Sequence, residues 1–265
     1  MDPFEVLYEA NLPGHPLPAG LERLYGRLGF ASPVLYSNFV SSVDGVVTLG
    51  STQSAGSVIS GKYPADRFLM ALLRACADAV VIGAGTLRAT PGHLWTPSHV
   101  FPSLASSFAE LRQSLGRSPE PRLVVLTAGG ELDFSHPALV KGALVVTTAA
   151  GARAIGGGLP PASRVVTMGK GKSLDVGRTL GELRSQGYEV LLTEGGPHLM
   201  GELIRQRLLD EMFLTVAPVA AGRARERRLG MVEGAELLPQ AGVWSDLLSV
   251  RRHRDYLFLR YGVRA

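Results

Sequence analysis

The 265-residue sequence predicts one α/β domain: a central, mostly parallel sheet with an antiparallel C-terminal edge, flanked by helices. Three observations carry this expectation. Short apolar strand-type runs alternate with helix-period segments through the middle of the chain, and parallel strands need such crossovers. Two strand-type runs near the C-terminus have no helix between them. No linker or internal repeat divides the chain. Apolar residues make up 46% and charged residues 19%, so a full core is available and disorder is excluded for most of the length.

In chain order, residues 1–32 are rich in Pro, Gly and Leu and read as an irregular arm with a short helix near Leu21–Leu28; the domain occupies 33–265. VLYSNFV (Val34–Val40) is a β-type run that ends at SSVDG, where Asp44-Gly45 signals a turn, and VVTL (Val46–Leu49) is a second short strand. Pro64 suits the first turn of a helix to Cys76, with Phe68, Leu69, Leu72, Leu73 and Cys76 on one face. AVVIG (Ala79–Gly83) is a continuous apolar strand of the kind covered on both faces. Residues 91–120 show little period and read as mostly loop with one weak helix. RLVVLTA (Arg122–Ala128), ALVVTT (Ala143–Thr148) and RVVTM (Arg164–Met168) are further strands, the last preceded by a Gly156–Gly158 loop. Asp175 reads as the N-cap of a helix carrying Val176, Leu180 and Leu183. YEVLLTEGG (Tyr188–Gly196) is a strand running into two glycines. Pro197 then opens a helix whose buried face is Leu199, Met200, Leu203, Ile204 and Leu208. EMFLTVAPVAAG (Glu211–Gly222) and DYLFLRYGV (Asp255–Val263) are the late strands.

Composition narrows the function classes. The single cysteine, Cys76, excludes an intrachain disulfide, and no Cys/His cluster offers a structural metal site; a reducing cytoplasm is expected. No apolar run reaches 18 residues, and MDPFEVLYEA lacks the form of a signal peptide. A net charge of +4 suits an anionic small ligand without demanding nucleic acid. The basic clusters Arg223–Arg228 and Arg251–Arg254 lack interleaved aromatics and read as solvated loop or strand-end charges.

Two motifs stand out from those that fail. GKGKS (Gly169–Ser173) has Val166 where a P-loop needs glycine, so it reads as a basic loop. GAGTLR (Gly83–Arg88) has Arg88 where a dinucleotide fingerprint needs its last glycine. A strand ending in Gly83-x-Gly85-Thr86 still lets backbone N–H groups approach an anion, with Arg88 alongside; a plain strand-to-helix turn explains it equally well. TEGGPHLMG (Thr193–Gly201) repeats the arrangement. Gly195-Gly196 leads into a helix N-terminus, and Glu194 stands at the sheet edge where ligands of open α/β sheets collect; a solvated turn with a capping acid is the alternative. Asp44 alone reads as turn chemistry. Arg74 either caps its helix or reaches a phosphate. No G-x-S-x-G, H-E-x-x-H, C-x-x-C or zinc-deaminase signature occurs.

Taken in order, SSVDGVVT, PADRFLMALLRACADAVVIGAGTLRAT and VLLTEGGPHLMGELIRQRLLDEMFLTVAPVAAG resemble the reductase domain of the bacterial bifunctional riboflavin-biosynthesis deaminase/reductase, in a stand-alone, actinobacterial-type layout. The resemblance runs from about Val34 to the C-terminus and implies a dihydrofolate-reductase-like fold. It implies NADPH-dependent reduction of 5-amino-6-(5-phosphoribosylamino)uracil, with hydride delivered to ribose C1′ of the opened imine. Carried over by position, it places Val40 beside the nicotinamide and Thr86 on phosphate or ribose, with Gly195 and the stretch Gly196, Pro197, His198, Leu199, Met200 and on to Glu202 around the pyrophosphate. Gly83, Gly85, Arg88 and Thr127 complete the cofactor set. Arg74, Glu194 and Ser57 fall at substrate positions, and Asp44 and Glu194 are the catalytic candidates. A homodimer and a phosphorylated pyrimidine or pteridine substrate are further implications. Val46 replaces a usual basic residue, Thr90 a usual acid, and the Leu49–Ile59 loop is longer. These departures leave reduction of dihydrofolate or another pteridine as an alternative, and a non-catalytic nucleotide-binding protein as another.

Overall fold

The computed structural model of the chain describes residues 1–50, 55–169, 171, 173–223 and 228–264. Its strands are β1 (Glu5–Glu9), β2 (Val34–Ser42), β3 (Ala79–Gly83), β4 (Arg122–Thr127), β5 (Ala143–Thr147), β6 (Arg164–Thr167), β7 (Val190–Thr193), β8 (Glu211–Ala217), β9 (Ser245–His253) and β10 (Tyr256–Val263). Its α-helices are α1 (Ala19–Tyr25), α2 (Ala55–Ile59), α3 (Pro64–Cys76), α4 (Ala84–Ala89), α5 (Pro97–Val100), α6 (Ala105–Ser114), α7 (Pro137–Lys141), α8 (Ala149–Ile155), α9 (Val176–Ser185) and α10 (Pro197–Arg205). All ten strands form one sheet in the order β1-β9-β10-β8-β2-β7-β3-β4-β5-β6. Every pair from β8 to β6 is parallel, and β1, β9, β10 and β8 pair antiparallel. The predicted fold class is the observed one.

Apolar residues alternate between the two faces of the parallel strands, and each face has its own core. Tyr36, Val80, Ile82 and Leu192 meet Phe68, Leu72 and Phe108 of α3 and α6 on one side. Leu35, Val81 and Leu191 meet Leu180, Leu183, Met200 and Leu203 of α9 and α10 on the other. Each such side chain contributes roughly 1.5–3 kcal/mol when removed from water. Helix α3 is anchored at its C-terminus by Arg112, whose Nη1 donates to the carbonyls of Arg74, Ala75 and Ala77 at 3.2, 3.2 and 2.7 Å. That guanidinium satisfies orphan helix-end carbonyls and favours the negative end of the dipole.

Several local expectations are corrected. The segment expected to be an irregular arm supplies the edge strand β1, and Phe4, Leu21, Leu24, Tyr25 and Phe30 enter the core. VVTL is not a strand: Thr48 makes only an isolated bridge to Leu229. Residues 91–120 hold α5, a 3₁₀ turn at Pro102–Leu104 and α6. Arg251 is not solvated; it lies in β9, 2% exposed. Its Nη2 donates to Glu9 at 2.6 Å, its Nε to the Tyr25 carbonyl at 3.0 Å, and its guanidinium covers the Tyr25 ring at 4.2 Å. A paired, hydrogen-bonded and stacked arginine is one of the few charges a core accepts. Lys170 and Lys172 of GKGKS, residues 224–227 of the basic cluster and 51–54 of the long loop lie outside the described residues.

Candidate active site

Strand β7 lies between β2 and β3, and all three are parallel. After β3 the chain turns into α4, whose Leu87 joins the core on the α3 side. After β7 it turns into α10, whose Met200 and Leu203 join the opposite core. Neighbouring strands therefore send their helices to opposite faces, which opens a crevice at the C-terminal edge of the sheet. A cleft of about 500 Å³ lies there, within the usual size for a small-molecule site.

Gly195 and Gly196 of the turn after β7 meet Thr86 of α4 in this crevice. A Cβ built on Gly196 would stand 3.5 Å from Thr86 Oγ1. Gly83 and Gly85 have open space where a Cβ would be, whereas a Cβ on Gly195 would collide with Leu199 at 2.5 Å. Gly196 is the N-cap of α10 with Pro197 in the first turn. Bare backbone and a helix N-terminus facing a cleft are what a pyrophosphate requires. The residues present thus fit a dinucleotide.

On the substrate side, Arg74 and Glu194 form a buried pair, 1% and 8% exposed. Arg74 Nη2 donates to Glu194 Oε2 at 2.6 Å, and its Nε donates to both carboxylate oxygens at 3.1 and 3.2 Å. Its Nη1 donates to the Leu94 carbonyl at 3.2 Å, and Nη2 also meets His93 Nε2 at 2.9 Å. So held, Arg74 orients Glu194 in the cleft wall.

Of the residues singled out from sequence, Val40, Ser57, Arg74, Thr86, Glu194, Gly195, Gly196 and Pro197 line the cleft together. The others stand apart from its lining. Asp44 locks a turn: it accepts from Ser42 Oγ at 2.5 Å and from the Ala221 and Gly222 amides at 3.0 and 2.7 Å. The Ser42 hydroxyl and the Ala221 amide hold its carboxyl down at about 2, so it stays ionised. Arg88 turns to the Glu131 carbonyl, and Thr127 Oγ1 accepts from the Gly130 amide. The Met200 side chain is buried in the core, Leu199 packs beside Gly195, and His198 is exposed.

The structure adds residues the sequence reading passed over. Asp66, 5% exposed, lines the cleft from the first turn of α3. Burial raises its carboxyl to about 6 against the opposing effect of the Thr215 and Ser60 hydroxyls. His93, Trp95 and His99 form an aromatic wall, with His93 edge-on to both neighbours at 5.0 Å between ring centroids. A signal existed in the sequence: Asp66, Met70 and Arg74 recur every four residues, so two of the three charges of this helix fall on one stripe. Among the described residues no His/Cys/Asp/Glu group is arranged to hold a metal.

Residues 33–244 match the family model described as the RibD C-terminal domain. The chain belongs to that family. This RibD C-terminal domain is also similar in fold to solved structures. A pyrimidine reductase-like protein from Corynebacterium diphtheriae superposes with a TM-score of 0.68 at 20% identity, covering 88% of this chain and 92% of that one. Acinetobacter baumannii RibD gives 0.68 and 20%, covering 88% of this chain and 58% of that one, so the domain spans little more than half of that protein. The Saccharomyces cerevisiae riboflavin biosynthesis reductase gives 0.57 and 15%, covering 90% and 94%. No curated protein matches the chain significantly by sequence.

Proposed function

We propose that this RibD C-terminal domain is an NADPH-dependent reductase of a phosphoribosylated pyrimidine, 5-amino-6-(5-phosphoribosylamino)uracil being the substrate that membership of the family favours. The observation that carries the reading is the meeting of the Gly196 and Thr86 corners in one cleft with the buried Arg74–Glu194 pair. The α10 N-terminus, Gly195, Gly196 and Thr86 would hold the cofactor, with Val40 on its nicotinamide side; when bound, it supplies the hydride. Glu194, fixed by Arg74, accepts hydrogen bonds from ring N–H or hydroxyl groups of the substrate. Asp66 is the carboxyl suited to deliver a proton, because burial keeps part of it protonated near neutrality, whereas Asp44 is ionised and outside the cleft lining. Val40, Val47, Leu49 and Met70 give the cleft apolar walls that exclude water.

The deciding experiment titrates purified protein with NADPH by fluorescence and then assays turnover on the uracil intermediate and on dihydrofolate side by side. Saturable NADPH binding with turnover of the uracil compound supports the reading. Turnover of dihydrofolate alone transfers it to a pteridine reductase, and absence of NADPH binding ends it. The same reading expects a homodimer. It is supported by an apolar row on β8 and β10, where Val216 faces Leu257 and Leu214 faces Leu259 across the pair and all four side chains stay partly exposed.

A further inference from the structure

We propose that a second cavity, behind the wall that carries Trp95, is an effector site for a planar aromatic molecule bearing one anionic group. This rear cavity measures about 370 Å³, within the range of small-molecule sites. It lies beside the N-terminal ends of β4 and β5, whereas the cleft described above lies at the C-terminal edge of the sheet. Its lining suits stacked rings: Leu94, Trp95, Pro119, Pro121 and Leu123 give apolar faces, and Trp95 is 4% exposed. The charges at its mouth do not cancel. Lys141 and Glu120 pair at 2.6 Å, while Arg122, exposed at the first position of β4, makes no ion pair among the described residues. The acids next along this edge are committed: Asp78 pairs with Arg117, and Glu189 accepts from Ser32. An apolar slot with one uncompensated guanidinium at its rim favours a ring system with a single anionic group over a neutral one.

The shared wall connects this cavity to the cleft. Trp95 lines both. Beside it, the Leu94 carbonyl accepts from Arg74 Nη1 at 3.2 Å, and Arg74 in turn holds Glu194 just beyond β7. A ligand packed against Leu94 and Trp95 restrains that carbonyl, and through Arg74 it restrains the turn that carries Glu194 and Gly195. The amides of this turn are themselves hydrogen-bonded, Glu194 to the Val81 carbonyl and Gly195 to Thr193 Oγ1, each at 3.2 Å. Exchange of their protons with solvent therefore requires an opening, which the restraint makes rarer. None of these contacts depends on which reaction the cleft performs.

The test uses anilinonaphthalene sulfonate and its neutral analogue phenylnaphthylamine, which carry the same rings with and without an anion. In a Trp244→Phe protein Trp95 is the sole tryptophan, so energy transfer from it to the dye reports binding beside it. The sulfonate is expected to bind saturably and roughly tenfold more tightly than the neutral dye. Arg122→Glu should weaken the sulfonate roughly tenfold or more, and Ser118→Phe, which fills the cavity from its exposed side, should abolish its binding. Gly196→Val, in the cleft, should leave it unchanged. In hydrogen exchange the bound sulfonate should slow the Glu194 and Gly195 amides about threefold, and Ser118→Phe should remove the slowing. Arg122 and Ser118 are both exposed; should either variant lose its fold, a thermal melt reports it and the other stays readable. Energy transfer that survives both variants, or that Gly196→Val removes, places the dye in the cleft and overturns the rear site. Equal affinity for the two dyes overturns the ligand class, and unchanged exchange at Glu194 and Gly195 overturns the effector role. No cofactor or substrate enters the measurement, so failure of the reductase reading is seen separately.

Discussion

Three residues bear the functional reading, and each makes a distinct demand. Gly196 has φ −68° and ψ 168°, a backbone any residue adopts, and its missing Cβ faces Thr86 at an ordinary contact distance. Gly196→Val should therefore fold with little change in melting temperature yet bind NADPH at least tenfold more weakly by fluorescence titration; an unchanged Kd refutes the corner model. Glu194→Gln removes the charge that faces buried Arg74. We expect a loss of about 3 kcal/mol in denaturant unfolding, with turnover cut and NADPH affinity kept. Asp66 gives a pH signature. Its carboxyl is raised to about 6, so between about pH 4 and 6 the folded state binds more protons than the unfolded state. This group's contribution to stability falls as pH rises through that window and levels off above it. Asp66→Asn should remove that slope, making the variant more stable than wild type by roughly 2–3 kcal/mol above pH 6 while lowering turnover. A wild-type and variant difference that does not change with pH would remove Asp66 from the mechanism. Arg74 and Glu194 stood out in the sequence because each is a charge beside an apolar run. Asp66 did not, because an acid near a helix start is ordinary and only its burial in the fold makes it unusual.

Helix α3 carries both jobs in one segment: Phe68, Leu69, Leu72 and Leu73 fill the core while Asp66, Arg67, Met70 and Arg74 line the cleft. Its bounds, those of β3 and the start of α10 were legible because Pro64, the AVVIG run and Gly-Gly-Pro are strong local signals. The short helices α7 and α8 were not, being a turn or two of chain whose helicity comes from packing. Strands β1 and β9 escaped for another reason. They pair with each other across most of the chain's length, and β9 places Arg251 where a strand pattern expects an apolar residue. Arg251→Met should test that seam: it strands Glu9 and the Tyr25 carbonyl and is expected to cost about 2 kcal/mol in denaturant unfolding. An unchanged midpoint would show that the edge strand holds without the pair.

The crevice is a property of the whole sheet. It exists because β7 is inserted between β2 and β3 and its helix leaves on the other face, an arrangement that no local pattern encodes. Next to it, the antiparallel part of the sheet leaves the apolar row of β8 and β10 partly exposed. A second copy covering that row should make the protein sediment as a dimer, and Leu214→Asp with Leu259→Asp should convert it to a folded monomer. A wild-type protein that sediments as a monomer at all concentrations refutes the dimer.

Local chemistry in the chain was enough to announce a mostly parallel sheet, its flanking helices, the glycine corners and the Arg74 and Glu194 positions, because turn residues and apolar period act over a few neighbours. Folding in three dimensions settled which charges stay free. It spent Arg74 on Glu194, locked Asp44 into a turn, and buried Asp66 in the cleft wall. Burial and pairing depend on residues more than a hundred positions apart, so a guanidinium or carboxylate acquires its role only once the strands are in order.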